Sequence, residues 1–292
     1  MRKVAALLLV LFIASLSCGC TSSEKPAQIV ATTAPVYQFT KRICDGTDIS
    51  VSLLVSENVS CLHDYTLQTR QVQALEAAEM VVISGAGLES FLGDVLPSDV
   101  RIADASQGIP LLCAEVEHSH TTHEHNHAQD PHIWLSPVNA QQMCRNIYNN
   151  LSCKYPKYES IFQANLSVLL AELAALEQYG QQQLAALSGK ELITFHDGFI
   201  YLADTYDLHI LYAVEEESGS EASAQELIKI AKLINAHRLH SIFTEKNGST
   251  SASQILSAET GAKIYCLDMA MGDTEYFTAM YHNIDTLKEA LQ

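Results

Sequence analysis

A buried strand that ends in a tight turn is predicted by the sequence MVVISGAG, residues 80–87. Short apolar runs bounded by glycine are typical of strands that are covered on both faces of a parallel sheet. Towards the amino terminus, further strands are predicted at residues 29–33 and 49–55, with helices at 36–43 and 67–77. Another helix is expected to begin at residue 88. Strands that alternate with helices indicate βαβ units and a mostly parallel sheet.

A second alternating series follows a long helical stretch at residues 158–187. At a rise of 1.5 Å per residue this stretch would be about 45 Å long, which predicts a stiff connector between two lobes. Beyond it, strands are predicted at residues 192–195, 209–214, 241–244 and 263–267. The apolar stripe of the connector consists of Phe162, Leu166, Leu169, Leu173, Leu176 and Leu184.

The predicted fold class is therefore α/β, with two lobes that each contain a mostly parallel sheet flanked by helices. A long rigid backbone helix joins the lobes. The predicted boundaries are residues 28–154 for the amino-terminal lobe, 155–188 for the connecting helix and 189–292 for the carboxy-terminal lobe.

The first 20 residues predict an export signal. Two basic residues precede an apolar run at 4–16, which is shorter than the roughly 20 residues that a membrane span needs. The end of this segment resembles a bacterial lipoprotein signal, in which a cysteine after a small residue is lipidated. Cys20 is the predicted lipidation site and Cys18 the second candidate, so residues 1–19 would be the signal peptide and 20–27 a tether. A plain secretory signal is the alternative.

The formal net charge of −17 argues against nucleic acid as a partner, because phosphate binding needs a basic surface. An acidic surface suits an extracytoplasmic protein and mildly favours cations near it. We expect no apolar stretch after the signal to cross a bilayer, so the protein is predicted to be anchored to the membrane without spanning it. A monomer is expected.

Six cysteines follow the predicted signal, and no pair has the Cys-x-x-Cys spacing of a zinc ribbon or a redox motif. Nine helical residues would separate Cys144 from Cys153 by about 13 Å, which is too far for a disulfide. We expect the six to be small buried side chains, and the sequence leaves disulfides between other pairs open. The six are Cys44, Cys61, Cys113, Cys144, Cys153 and Cys266.

Five histidines lie close together in a polar, patternless segment, residues 114–129, that is predicted to be a loop. Neutral imidazole is the commonest metal ligand, so the cluster indicates an auxiliary site for a borderline-soft divalent cation, zinc before others. A merely solvated tract is the alternative, because metal binding by such tracts is inferred from composition alone. The five are His118, His120, His123, His125 and His127.

Four further potential metal ligands lie where predicted strands end, which is where sites form in open α/β sheets. His63 and His132 come from the first predicted lobe, and His196 and Asp268 come from the second. Three imidazoles and one carboxylate make a four-coordinate set that suits zinc, with bonds of about 2.0–2.2 Å. We therefore expect the ion to lie in the cleft between the lobes.

The chain resembles the metal-binding lipoproteins of ABC importers, the cluster A-I family that delivers zinc or manganese. The motifs that carry the resemblance are SGAGLE at 84–89, DPHIWLSP at 130–137, HDGFIYL at 196–202 and LD at 267–268. The resemblance runs from about residue 28 to 290 and implies two lobes joined by a long helix, with the metal between them. Around His63 the chain reads CLHDY, without the Asp-Pro that usually precedes this histidine in the family.

In that family the third ligand tends to be glutamate in manganese-type members and histidine in zinc-type members, so His196 favours zinc. The resemblance implies a high-affinity Zn(II)-binding protein, not an enzyme, that delivers its ion to the permease and ATPase of an ABC importer. A manganese or iron protein of the same family is the main alternative. A zinc hydrolase with Asp268 as its base and a surface adhesin with a structural metal are further alternatives.

Overall fold

The computed structural model describes residues 26–56, 62, 65–113, 129–214 and 222–292. The predicted signal peptide and the lipidation candidates Cys18 and Cys20 lie outside these residues, as do His63 and the five histidines of the predicted loop. The described residues form two parallel sheets flanked by helices, together with one long helix. The predicted fold class is confirmed.

The amino-terminal sheet has four parallel strands: β1 (Ile29–Ala31), β2 (Val51–Leu53), β3 (Met80–Ile83) and β4 (Arg101–Asp104). Their order is β2-β1-β3-β4, which places the fully buried β1 inside the sheet. Helix α1 (Ala34–Ile43) follows β1, and helix α2 (Thr69–Ala77) follows β2. Strand β4 was not predicted, because charged residues at both its ends and an exposed Ile102 hide the apolar pattern of an edge strand.

The predicted tight turn after β3 is present and requires glycine. Gly85, Ala86 and Gly87 all have positive φ, and a Cβ on Gly85 would lie 2.1 Å from Oδ1 of Asp104. The predicted helix from residue 88 is wrong, since the chain forms a 3-10 helix at Ser90–Val95 instead. Gly93 interrupts even this short helix, because its φ of 43° and ψ of −131° are not helical.

One long helix, Pro156–Leu187, lies between the two sheets in the chain. Its α-helical part, α4 (Glu159–Leu184), buries all six residues of the predicted apolar stripe. It packs against α1, α3 (Pro137–Lys154) and α8 (Tyr276–Leu291). We expected no such stretch after the signal, yet by length and composition this helix could cross a membrane. Its stripe, buried against other helices, is that of a core helix.

The carboxy-terminal sheet also has four parallel strands: β5 (Glu191–Thr194), β6 (His209–Ala213), β7 (Ser241–Glu245) and β8 (Lys263–Leu267). Their order, β6-β5-β7-β8, matches that of the first sheet strand for strand. The connections contain α5 (Ile200–Thr205), α6 (Ala224–His237) and α7 (Ser251–Thr260). Because all strands run parallel, the residues that follow β5, β7 and β8 meet at one edge of the sheet.

The five cysteines in the described part of the chain are free. Cys44 and Cys144 are buried as predicted, and burial raises the pKa of the Cys44 thiol to about 12. The prediction of burial is wrong for Cys113, Cys153 and Cys266, which are exposed. Cys144 and Cys153 form no disulfide, in agreement with their separation along α3.

Glu89 ties the turn after β3 back to the sheet. Its Oε1 accepts hydrogen bonds from the hydroxyl of Thr32 (2.7 Å) and the backbone N–H of Ser84 (2.6 Å), and its Oε2 accepts one from the N–H of Gly85 (3.0 Å). Burial of the carboxyl outweighs these bonds and raises the pKa of Glu89 from 4.5 to about 7. Between these two values, the folded chain therefore binds more protons at Glu89 than the unfolded chain does.

We expect this difference to lower the stability of the protein as the pH rises. Relative to Glu89→Gln, which does not titrate, the wild-type free energy of unfolding should fall by about 3 kcal/mol from about pH 4.5 to pH 7.5. Chemical denaturation of both proteins at a series of pH values measures the effect. A difference between them that stays constant over this range would contradict the raised pKa.

Candidate metal centre

His132 is positioned by the carboxylate two residues before it. Oδ1 of Asp130 accepts a hydrogen bond from the backbone N–H of His132 (2.8 Å) and lies 2.7 Å from its Nδ1. Since a carboxylate only accepts hydrogen bonds, Nδ1 carries the ring proton and Nε2 keeps its lone pair. Both residues are buried. Such a carboxylate–histidine pair fixes the ring and tautomer of a metal-binding histidine.

His196 comes two residues after the end of β5, and its ring lies among several polar groups. Its Nδ1 accepts a hydrogen bond from the N–H of Gly198 (2.8 Å) and lies 3.1 Å from Oδ1 of Asp197. Its Nε2 lies 3.8 Å from Oε2 of Glu245, the last residue of β7. Because Nδ1 accepts the bond from Gly198, the ring proton is on Nε2 in this arrangement. A metal at Nε2 would require the proton to move to Nδ1, which would give up the bond from Gly198 and could donate to the carboxylate of Asp197 instead.

His132 and His196 approach each other from segments 64 positions apart in the numbering. Their ring centroids lie 5.1 Å apart, and the ring planes are nearly perpendicular, at 88°. Gly198 permits this contact, because a Cβ there would lie 2.7 Å from Nδ1 of His132 and 2.6 Å from Cε of Met269. The glycine of the HDG sequence is thus required by close packing of side chains.

Asp268 follows β8 and is held firmly in place. Its backbone N–H donates to Oδ1 of Asn283 (2.7 Å), and its carbonyl oxygen accepts from Nδ2 of the same residue (2.8 Å). Its Oδ1 accepts a hydrogen bond from the N–H of Ala270 (2.8 Å). Its Oδ2 accepts one from the hydroxyl of Thr274 (2.9 Å) and lies 3.3 Å from Nζ of Lys246. The carboxylate is buried apart from a small exposed fraction.

Buried hydrogen bonds join the two halves of the chain beside these residues. The indole N–H of Trp134 donates to the carbonyl oxygen of Met269 (2.8 Å), and the hydroxyl of Tyr276 donates to that of Trp134 (2.8 Å). The hydroxyl of Tyr201 donates to the carbonyl oxygen of Asp130 (2.9 Å). These bonds hold the segment around His132 against the segment that follows Asp268.

The structure describes three of the four predicted ligands. It brings His132 and His196 into contact, whereas Asp268 is engaged by Thr274 and Lys246. Among the residues that the structure describes, no group of three or more His, Cys, Asp or Glu side chains is arranged to hold a metal ion. His63 and the loop histidines at 118–127 lie outside those residues. The four-ligand site and the auxiliary loop site therefore stay predictions.

Three carboxylates near the histidines were not predicted as site residues: Asp130, Asp197 and Glu245. Asp130 lies in the DPHIWLSP motif, and its position two residues before a candidate ligand could have indicated its orienting role. Glu245 is buried at the carboxyl end of β7, and β7 lies between β5 and β8. The rule that sites form at the carboxyl ends of parallel strands could have found it.

Residues 29–290 match the family described as zinc-uptake complex component A, periplasmic (ZnuA). The chain belongs to this family. The predicted resemblance to the binding lipoproteins of zinc and manganese importers is confirmed at the level of the family. ZnuA proteins are by this description components of an uptake complex, which is a role in binding and transport.

Two curated relatives illustrate the similarity to the ZnuA family. The zinc-binding protein AdcA of Streptococcus pyogenes serotype M3 is 29% identical over 291 residues, which cover 91% of this chain and 56% of AdcA. The zinc-binding lipoprotein AdcA of Streptococcus pneumoniae serotype 4 is 29% identical over 309 residues, which cover 99% of this chain and 61% of that protein. The chain therefore spans little more than half the length of these relatives.

Solved structures have the same fold. A crystal structure of ZnuA matches with a TM-score of 0.80 at 30% identity, covering 90% of this chain and 98% of that chain. The Zn(II)-bound structure of AdcA from Streptococcus pneumoniae matches with a TM-score of 0.78 at 27% identity, covering 91% of this chain and 57% of that chain. The two-lobed fold is thus shared along almost the whole length of ZnuA.

The Asp130–His132 pair leads to a prediction about metal affinity. Asp130→Asn should weaken the binding of Zn(II) about 10- to 100-fold, because an amide orients the imidazole less strongly and makes its Nε2 less basic. Competition titration against a chromophoric chelator measures the change. Asp104→Asn is the matched control, since Asp104 Oδ1 accepts the N–H two residues on, that of Ser106 (2.8 Å), as Asp130 Oδ1 does from His132. An equal loss of affinity in both variants would contradict a specific role for Asp130.

Proposed function

We propose that this protein captures Zn(II) outside the cytoplasm and delivers it to the membrane permease of an ABC importer, with its ATPase driving uptake. The observation that carries the proposal is the buried His132, whose Nδ1 is committed to Asp130 and whose ring lies 5.1 Å from that of His196. His63 and Asp268 complete the set of ligands, so that each lobe contributes two. Membership of the ZnuA family supports this role.

Zinc is the ion that this set of donors suits best. Imidazole nitrogens and one carboxylate oxygen favour a borderline divalent ion over the hard ions that prefer oxygen alone. His196 supplies nitrogen at the third position, and the streptococcal relatives are named as zinc-binding proteins. Manganese or iron is the alternative cargo. Glu245, 3.8 Å from Nε2 of His196, is the carboxylate that such a harder ion would use.

A zinc ion held by four protein ligands is suited to binding and not to catalysis. A catalytic zinc keeps a position open for water and needs a base beside it. In the hydrolase alternative Asp268 would be that base, yet its Oδ1 accepts from Ala270 and its Oδ2 accepts from Thr274. A carboxylate used in this way is better suited to hold an ion than to remove a proton.

Release of the ion would depend on local movements. The long helix α4 and the hydrogen bonds of Trp134 and Tyr276 oppose a wide opening of the lobes. We propose that release depends on local movements instead, and that the loop histidines collect ions weakly near the cleft. A lipid on Cys20, or on Cys18 as second candidate, would anchor a monomer beside the permease.

The central test is the metal content and zinc affinity of the mature chain. His132→Ala should lower the affinity for Zn(II) at least 100-fold, because it removes a ligand that Asp130 has already oriented. His209→Ala, which removes an exposed histidine at the start of β6, is the matched control and should bind as the wild type does. Competition with Mn(II) in the same titration distinguishes the two cargoes. Wild-type affinity in His132→Ala would refute the site, and turnover of ester or peptide substrates with zinc would favour the hydrolase.

Deletion of residues 118–127 distinguishes the contribution of the loop to zinc capture from that of the cleft. The deleted protein should keep its tight site, while uptake by cells should fall when zinc is scarce, because the loop no longer raises the local concentration of ions. Titration of the purified protein and growth in zinc-depleted medium measure the two effects. If the deletion abolished all tight binding, the loop itself would be the site.

A further inference from the structure

Lys246 and Asp268 occupy equivalent positions on neighbouring strands. In the parallel register of β7 and β8, Glu245 pairs with Leu267, so the next residue on each strand is Lys246 and Asp268. The backbone N–H of Lys246 donates to the carbonyl oxygen of Leu267 (2.8 Å), which continues the ladder beyond the strands. Both side chains therefore start at the edge of the sheet where the site lies.

The ammonium group of Lys246 reaches the carboxylate of Asp268. Its Nζ lies 3.3 Å from Oδ2 of Asp268, 2.5 Å from Oγ1 of Thr274 and 3.7 Å from Oδ1 of Asp273. The side chain of Asp268 is only 9% exposed, whereas that of Lys246 is 43% exposed. A partly solvated cation thus lies against the carboxylate of a predicted metal ligand.

Lys246 is not needed to hold the side chain of Asp268 in place. Without it, Asp268 would still accept hydrogen bonds from the N–H of Ala270 and the hydroxyl of Thr274, and Asn283 would still fix its backbone. A partly exposed ion pair adds little to the stability of a fold. The ammonium group of Lys246 has a larger effect on a metal ion bound by the carboxylate of Asp268, because like charges a few ångströms apart repel each other.

We propose that Lys246 sets the affinity and the release rate of the site, because its ammonium group competes with the bound divalent ion for the carboxylate of Asp268. This inference rests on the proposed function, in which Asp268 is a ligand. As the ion leaves, the ammonium takes over the negative charge of Asp268, so the carboxylate is never left buried without a cation. Lys246 lowers the affinity of the site for the ion below the value that the ligands alone would give. A lower affinity suits a carrier that must release its ion.

The test compares Lys246→Met, which keeps the length of the side chain but removes its charge, with wild type. We expect Zn(II) to bind about 10-fold more tightly and to leave about as many times more slowly. Competition titration gives the affinity, and stopped-flow transfer to a chelator gives the release rate. Lys246→Arg keeps a positive charge and should not tighten binding. Lys263→Met removes the same charge from the opposite end of β8 and should leave both quantities unchanged.

A double-mutant cycle with Asp268→Ala shows whether the effect passes through the shared carboxylate. In the Asp268→Ala background, Lys246→Met should change the affinity less than about 3-fold. Weaker zinc binding by Lys246→Met would overturn the inference, because it would show that Lys246 supports Asp268. Unchanged binding would also overturn it, because it would show that Lys246 has no effect on the site. An effect of equal size in both backgrounds would overturn it too. Failure of the wild type to bind zinc would instead refute the proposed function, so the two failures are distinguishable.

Discussion

The hydrogen bond from the indole of Trp134 to the carbonyl oxygen of Met269 is the contact on which the site depends. Trp134 lies two residues after His132, and Met269 lies next to Asp268, so one buried bond joins the segments that carry predicted ligands from the two lobes. Gly198 packs against both His132 and Met269 and allows no larger side chain between them. The described part of the candidate site is therefore held in place by packing and by a buried hydrogen bond.

The carboxylates of the candidate site have different surroundings, and this difference sets what each can do. Asp130 is committed to the N–H and Nδ1 of His132, so it acts on a metal through that ring. Asp268 is shared by hydrogen-bond donors and the ammonium of Lys246. Glu245 approaches Nε2 of His196 from the neighbouring strand. Asp130 and Glu245 thus place carboxylates beside the two imidazoles, which favours a divalent cation there over any anion.

Much of the fold could be predicted from local patterns. Short apolar runs bounded by turn residues identified β1, β3, β5 and β7, and the leucine stripe identified α4 with six of its seven buried residues. Strand β4 and helix α8 were missed. The edge strand β4 has an exposed Ile102 and charged ends, so its pattern is not apolar. The 3-10 helix at Ser90–Val95 was predicted only as a helix from residue 88, because apolar spacing over one turn does not distinguish a 3-10 helix from an α-helix.

For the candidate site, local sequence patterns were enough to show which side chains follow the ends of parallel strands, since the alternation of strands and helices is a local property with a known direction. This rule predicted His196 and Asp268, which follow β5 and β8, whereas His132 directly precedes the 3-10 helix Ile133–Leu135 and was identified by the DPHIWLSP motif. The contact of His196 with His132 and the sharing of the Asp268 carboxylate by Lys246 are visible only in the folded chain. Contacts between residues far apart in the chain depend on how two sheets and a long helix pack, and no pattern within a single segment records that packing.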